Sequence, residues 1–448
     1  MKGLTVLGVV SLMVVIAVAD QAYGQDTDEM KTILTNCNVI DCTGAPLKQD
    51  MTVVITGNRI TEIRKGVYEG DANSSDTRVF DLDGAYALPG FWNMHSHITD
   101  LLPDVNDMLG TEPLLPAAIR GGRNAMDGLR RGFTALRMVG DRDYIDVAWR
   151  DAFDAGVFVG PRIYASGKIV MHGRKGQRSR GWPVEIFADG PEEVRRATQE
   201  NIDKGIDIVK VILPGLNDEE LAIVVETAHA NGLHVAAHSG GKTAHQAVMA
   251  GVDCIEHGST LSDETIALMV KQGTFLDPTI VCNLSADYIA ERERIIGELG
   301  LDEDPEVVEG RIKVAFADER PQAAAARARE TLLKAHKAGI RIITGSDSSP
   351  VGEIGLLEIE QFVFSGLSEM DALIAATRNC ADMVGDLDKL GTVEEGKLAD
   401  LIVLAGNPLD HISNIRKLEM VFKDGKPVNL EKDEGQTSFW KLYFTERP

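Results

Sequence analysis

Six polar residues each close or directly follow a short apolar run, and this recurrence constrains the fold more than any other feature of the chain. His95 and His97 end Gly90-Phe91-Trp92-Asn93-Met94-His95-Ser96-His97. Lys210 closes Ile206-Asp207-Ile208-Val209-Lys210, and His238 closes His234-Val235-Ala236-Ala237-His238. His257 stands in Cys254-Ile255-Glu256-His257-Gly258, and Asp347 in Thr344-Gly345-Ser346-Asp347-Ser348. Candidate metal-site residues on successive strand ends converge on one point, the geometry expected of a catalytic metal site.

The middle of the chain alternates short apolar runs with amphipathic stretches. Eight runs read as strands: 87–94, 133–138, 162–166, 208–213, 234–237, 254–256, 274–277 and 340–344. Helical patterns lie between them, as at 192–204, 218–230 and 322–338. Eight β/α units over about 300 residues predict a (β/α)8 TIM barrel, in which the site is built at the C-terminal ends of the strands. The six residues fall at such ends. Both termini have a different texture, with alternating apolar and polar residues broken by Thr43-Gly44, Gly57-Asn58 and Asp424-Gly425. A chain of 448 residues leaves room for such a second, smaller unit. The economical reading is a small β-sandwich built from both ends, at 25–88 and 391–448, with the barrel inserted at 89–390.

Residues 1–24 read as a secretory signal. Lys2 precedes an apolar run from Leu4 to Val18, and Ala22-Tyr23-Gly24 offers small residues for cleavage before Gln25. The alternative is a membrane anchor, but the run is shorter than the roughly 20 residues a span needs, and Asp20 follows. A secreted or periplasmic protein without a stable membrane anchor is expected. Its formal net charge of −23 argues against nucleic acid as a partner. Of five cysteines, Cys37 and Cys42 either pair in an oxidising compartment or are two small buried residues. Cys254, Cys282 and Cys380 read as core packing. The charged 283–319 segment reads as a lid, a contact in a homo-oligomer, or a solvated helix.

Imidazole nitrogen and carboxylate oxygen are ligands for zinc and similar divalent ions. Residues i and i+2 of a strand face one side, so His95 and His97 can bind one ion together. An isolated His-x-His pair is weak evidence; its recurrence with His238, His257 and Asp347 is strong. Lys210 is the odd member, since an ammonium cannot ligate a metal.

The stretch Leu88-Pro89-Gly90-Phe91-Trp92-Asn93-Met94-His95-Ser96-His97 resembles the metal-binding opening of the amidohydrolase superfamily. Gly391-Thr392-Val393-Glu394-Glu395-Gly396-Lys397-Leu398-Ala399-Asp400-Leu401 resembles its closing segment. The resemblance implies two divalent ions, with zinc the expected metal. His95, His97 and Asp347 would bind one, His238 and His257 the other, and a Lys210 carboxylated by carbon dioxide would bridge them. Asp347 would also shuttle the proton. Phe133-Thr134-Ala135-Leu136-Arg137, Gly160-Pro161-Arg162-Ile163-Tyr164-Ala165-Ser166-Gly167 and Gly205-Ile206-Asp207-Ile208-Val209-Lys210 resemble the branch of prolidase-like enzymes, Xaa-Arg dipeptidases and ochratoxin-type amidases. That branch implies cleavage of a small peptide or amide beside a free carboxylate, in dipeptides or N-acyl amino acids.

Two departures concern substrate contacts. Arg137 is followed by Met138 where the branch has aspartate, and Met171-His172-Gly173-Arg174-Lys175-Gly176 replaces a threonine, paired glycines and a histidine. His172, Lys175, Arg178, Arg180 and Tyr288 are the candidate substrate contacts; the basic loop reads equally as solvated surface. The alternatives within the superfamily are a cyclic-amide hydrolase and a deaminase, the latter disfavoured by Lys210. The alternative of another class is a binding protein on a dead enzyme scaffold.

Overall fold

The computed structural model describes residues 30–71, 74–100, 114–173, 184–283, 290 and 320–431. The expected leader at 1–24 and almost all of the 283–319 segment lie outside them, as do Lys175, Arg178, Arg180 and Tyr288.

The described chain begins as a meander. β1 (Lys31–Val39), β2 (Lys48–Thr56) and β3 (Arg59–Lys65) pair antiparallel. Gly57, at φ 60°, makes the tight turn between the last two. β4 (Thr77–Asp81) and β5 (Tyr86–Pro89) lie parallel to β1. Gly90 then splits the expected strand 87–94 in two. Its N–H donates to the Asp400 carbonyl at 2.9 Å, and a Cβ there would overlap the Thr134 side chain. Before Gly90 the chain belongs to the terminal sheet. After it, β6 (Phe91–Ser96) joins the central strands.

α1 (Leu114–Arg130) leads to β7 (Phe133–Met138), and α2 (Ile145–Asp154) to β8 (Arg162–Tyr164). The expected third strand at 162–166 stops early because the next two amides turn to side chains. Ala165 N–H donates to Asp207 at 2.8 Å and Ser166 N–H to Asp146 at 2.9 Å. Two short strands not expected from sequence follow, β9 (Ile169–His172) and β10 (Glu185–Ala188). Then come α3 (Pro191–Asp203), β11 (Ile208–Ile212), α4 (Asp218–Ala230) and β12 (His234–Ser239). α5 (Gly241–Ala250), β13 (Cys254–His257), α6 (Asp263–Gln272) and β14 (Phe275–Asp277) complete the alternation. The helices α7 (Arg320–Ala338), α8 (Val351–Phe364), α9 (Glu369–Ala375) and α10 (Arg378–Met383) follow. No helix among the described residues is long and apolar enough to cross a membrane.

The central strands run parallel in two ladders, β6-β7-β8 and β10-β9-β11-β12-β13-β14. The expected eighth strand at 340–344 is reduced to a single bridge, Leu276 to Ile342. On its other side the Met94 N–H donates to the Thr344 carbonyl at 2.7 Å. The chain returns through β15 (Leu401–Leu404), β16 (Leu418–Lys423) and β17 (Lys426–Pro427). These extend β5 and β1 into one eight-stranded sheet made from both chain ends. Phe80 of β4 meets Phe422 of β16 edge to face, with ring centroids 5.5 Å apart. Asp424 and Gly425, both at positive φ, form the last hairpin turn. Cys37 and Cys42 are free and buried in different clusters, so no bridge joins them.

Strand period sorts the central side chains into layers. Trp92, Met94, Ala135, Ile208, Ala236, Cys254 and Phe275 pack together as an apolar interior. Their neighbours Leu136, Val209, Val235, Ile255 and Leu276 face the helices. The next inward position on β7, β11, β12, β13 and β14 holds Arg137, Lys210, His238, Glu256 and Asp277. An ionisable layer therefore sits directly on a dry one.

Arg162 ties this body to the terminal sheet. Its Nε donates to Asp400 at 2.9 Å and its Nη2 to Asp424. Arg162→Ala leaves the buried Asp400 short of a charged donor and is expected to destabilise the protein by about 1–3 kcal/mol. Urea denaturation would read this, with metal content unchanged; an unaltered midpoint would show that the pair contributes nothing.

Candidate metal centre

Four imidazoles form a row across the strand ends. Ring centroids are 5.6 Å apart for His97 and His95, 5.0 Å for His95 and His257, and 4.3 Å for His257 and His238. Asp347 reaches the row from the loop after the residual eighth strand. Its Oδ1 lies 3.4 Å from His95 Nε2 and 3.3 Å from His97 Nε2, and its Oδ2 lies 4.0 Å from His257 Nδ1. The sequence-expected residues His95, His97 and Asp347 thus form one group with donor atoms within 4.8 Å of one another. His257 and Asp347 form a second such group with Cys282. His238 joins through its contact with His257, on the open side of the row.

Backbone conformation aims two of these residues. Glu256 faces the interior, so a regular pleat would turn His257 outward. His257 instead adopts φ 68°, and both side chains reach the site. Asp347, at φ 48°, is held by its own N–H donating to the His95 carbonyl at 2.9 Å. Thr279, beside His257, is also left-handed at φ 41°. Three non-glycine residues in this disfavoured region, gathered at one end of the strands, mark backbone held in place by the surrounding structure.

The Nδ1 atoms of three of these rings are already engaged. His95 Nδ1 pairs with Glu256 Oε2 at 2.7 Å, and His97 Nδ1 with the Gly140 carbonyl at 2.7 Å. His257 Nδ1 pairs with the Thr279 hydroxyl at 2.6 Å, leaving a buried Nε2 without a partner. With Nδ1 protonated, Nε2 carries the lone pair, so the donor set fits a divalent ion. Lys210 is buried, and its Nζ has no hydrogen-bond partner, an expensive arrangement for an ammonium. Burial lowers its pKa, favouring the neutral amine.

Sequence reasoning assigned no role to Arg137, Glu256 or Asp277, which lie fully buried under the row. Their signal was the strand alternation, which sets each two residues beyond an inward apolar one. Cys282, read with Cys254 and Cys380 as core packing, must be corrected. It is partly exposed, with Sγ 3.5 Å from Thr279 Oγ1 and 3.9 Å from His257 Nδ1. The structure brings His172 to Glu220, Nδ1 to Oε1 at 2.9 Å, with Asp189 close by, rather than into the imidazole row. Glu220 also closes the capping box of α4 with Asn217. His234 lies at the start of its strand, lining a cavity with Gly273, Phe275 and Asp382, as its position in sequence implies.

A model of the Amidohydrolase family matches residues 86–428. Ochratoxinase from Aspergillus niger is 31% identical over 390 residues, 78% of this chain and 76% of that protein. Among solved structures, a Xaa-Pro dipeptidase with methionine bound in its active site is similar with a TM-score of 0.73 at 28% identity, covering 89% of this chain and 100% of that one. The crystal structure of A. niger ochratoxinase gives 0.72 at 25% identity, covering 92% and 100%. The chain belongs to the amidohydrolase family, on the prolidase and ochratoxinase branch of its superfamily. It is a hydrolase acting on amide C–N bonds, with an α/β fold that contains a TIM barrel. The superfamily generally uses a divalent metal centre, and the groups around Asp347 supply candidate ligands.

The electrostatics make metal uptake pH-dependent. Burial alone would lower the His97 pKa, but the Asp347 carboxylate outweighs it and raises the group to about 9. Burial, with Lys210 nearby, lowers His95 and His238 to about 4. Uptake near neutral pH is expected to release about one proton, from His97, so affinity should rise roughly tenfold per pH unit until about pH 9. Calorimetric titration in buffers of different ionisation enthalpy would measure the proton; a pH-independent affinity would contradict the His97–Asp347 pairing.

Gly345 provides a steric test. A Cβ there would land on the Asp277 carboxylate and 2.5 Å from His95 Cβ. Gly345→Ala is expected to cost about 1–3 kcal/mol and to lower metal occupancy by displacing Asp347. Thermal unfolding and metal analysis of one sample would show both; full occupancy would mean that the loop accommodates the methyl group.

Proposed function

We propose that the protein is a binuclear metallohydrolase that cleaves the amide bond of dipeptides or N-acyl amino acids, ochratoxin-type amides included. The observation that carries this reading is the Asp347 carboxylate set between the Nε2 atoms of His95 and His97, at the end of a row continued by His257 and His238. In the proposed assignment His95, His97 and Asp347 hold one ion, and His238 and His257 the other. The orphaned Nζ of Lys210 supports its carboxylation, since a neutral buried amine is the form that adds carbon dioxide and releases a proton to become an anionic carbamate, which would supply ligand oxygens to the ions. Two divalent ions, zinc being the expected metal, would activate water and polarise the scissile carbonyl. Asp347 takes the proton of the attacking water and delivers it to the leaving amine. The products are an amine and a carboxylate.

Around this centre, His172 is the proposed substrate contact among the described residues. Glu220 holds its Nδ1 and raises its pKa, which favours the cationic form that a substrate carboxylate would pair with. Lys175, Arg178, Arg180 and Tyr288 are proposed to act with it. Secretion or a periplasmic location is proposed from the leader pattern at 1–24. The two central ladders are read as arcs of one closed barrel. Supporting this, Asp207 N–H donates to the Ala165 carbonyl at 2.7 Å at one seam, and Met94 N–H to Thr344 at the other. The eight-stranded terminal sheet is read as the β-sandwich.

The test is a hydrolysis screen of zinc-loaded protein against dipeptides and N-acyl amino acids, with metal content measured on the same sample. Release of a free amino acid with about two ions per chain is the expected result. Asp347→Asn should retain metal and lose hydrolysis by a factor of about 100 or more. Unchanged turnover would remove Asp347 from the mechanism. Two ions without amide cleavage would redirect the assignment to cyclic amides, and one ion with ammonia release would indicate a deaminase.

A further inference from the structure

The imidazole row rests on a buried ionic cluster that the fold alone does not require. Arg137 is completely enclosed. Its Nη2 donates to both Glu256 oxygens, at 2.7 and 2.8 Å, and to Asp277 Oδ2 at 3.3 Å. Its Nε donates to the Met94 carbonyl. Through these bonds one guanidinium links β6, β7, β13 and β14. The cluster ends on a single imidazole, where His95 Nδ1 meets Glu256 Oε2 at 2.7 Å.

For stability alone this is an unfavourable choice. Removing the Arg137–Glu256 ion pair from water costs several kcal/mol for each ion, and apolar side chains of similar volume often serve a core better. The layer immediately beneath, with Trp92, Ala135, Cys254 and Phe275, is built that way. The other two engaged imidazoles have neutral partners, the Gly140 carbonyl for His97 and the Thr279 hydroxyl for His257. A neutral acceptor fixes the tautomer. An anionic acceptor also increases the basicity of the opposite ring nitrogen and strengthens it as a ligand.

We propose that Glu256, held by Arg137 and through it by Asp277, is a positioning residue for His95, making the ion bound by His95, His97 and Asp347 the tighter of the two. This rests on the binuclear reading above and adds an order of affinity to it. Glu256 touches neither substrate nor the reacting atoms; it acts through His95.

The experiment is stepwise zinc binding by full-length protein in competition with a chromophoric chelator, on wild type, Glu256→Gln and Thr279→Val. It is accompanied by the visible absorption spectrum of the first and second equivalents of cobalt(II), and by thermal unfolding of the metal-free proteins. Glu256→Gln is expected to weaken the first ion by about 10- to 100-fold and to change the spectrum of the first cobalt equivalent, leaving the second ion near its wild-type affinity. Thr279→Val should weaken only the second. If Glu256→Gln does not fold, the double variant Arg137→Met/Glu256→Gln removes both opposing charges and carries the same expectation. A folded Glu256→Gln protein that binds both ions with wild-type affinity and an unchanged spectrum overturns the proposal. Equal weakening of both ions together with a large fall in metal-free stability also overturns it, because that is the signature of a purely structural cluster. A wild type that takes fewer than two ions instead overturns the binuclear reading, so the two failures are distinguishable.

Discussion

The period-two pleat of the parallel strands is the constraint from which the site follows. Because alternate residues face inward, a strand that contributes Ile208 to a dry interior contributes Lys210 one step higher. The same step separates Ala135 from Arg137, Ala236 from His238, Cys254 from Glu256 and Phe275 from Asp277. An apolar floor excludes water from the groups above it and strengthens every interaction among them. It also makes an unmatched charge costly, so the layer is arranged in complementary pairs. Burial would raise Glu256, but the Arg137 guanidinium holds its carboxyl well below the usual range. Asp277 moves the other way, raised by burial and by the Glu256 charge beside it. One anion stays charged because its neighbour need not be.

The candidate ligands cannot all come from the pleat, since it offers each strand only one inward position at that height. The structure meets this by breaking the pleat at the strand ends. His257 and Asp347 take left-handed backbone conformations, and each is held by bonds to a neighbouring strand end. Gly258 N–H donates to the Ser239 carbonyl at 3.0 Å, and Asp347 N–H to that of His95. These bonds offset the conformational strain and make the ligand positions depend on the whole array.

Helix α8 secures the array from outside. Its buried Glu358 accepts the N–H groups of Ile280 and Val281, at 2.8 and 2.9 Å, fixing the short turn that carries Thr279 and Cys282 behind His257. At its start the Val351 carbonyl accepts from Asn93 Nδ2 at 2.9 Å, and the same amide group bonds Ser346 through both its oxygen and its nitrogen. The first strand, the loop of Asp347 and the turn behind His257 therefore share one support. Displacement of α8 would disturb three candidate ligands at once, although none of them lies on it.

What the sequence disclosed follows from how each residue is positioned. His95, His97, Lys210 and His238 were legible because they end runs whose apolar pattern is local. His257 and Asp347 were legible as residues at strand ends, but the positive φ that aims them leaves little trace when the residue is not glycine. Gly90 carried a signal that was passed over. A glycine inside an apolar run marks a close backbone approach, and here it marks the crossing from one sheet to another. The third strand ended early because Asp146 and Asp207, distant in sequence, capture its amides, and no local pattern reports that. Arg137, Glu256 and Asp277 lay between these cases. Each was visible as an inward position, yet a charged residue acquires meaning only when its partner is known, and these partners lie 119 and 140 residues from Arg137. Local alternation can therefore identify the layer in which a site is built, while the interactions that give the layer its chemistry are set by strand order, which brings residues from separate β/α units face to face.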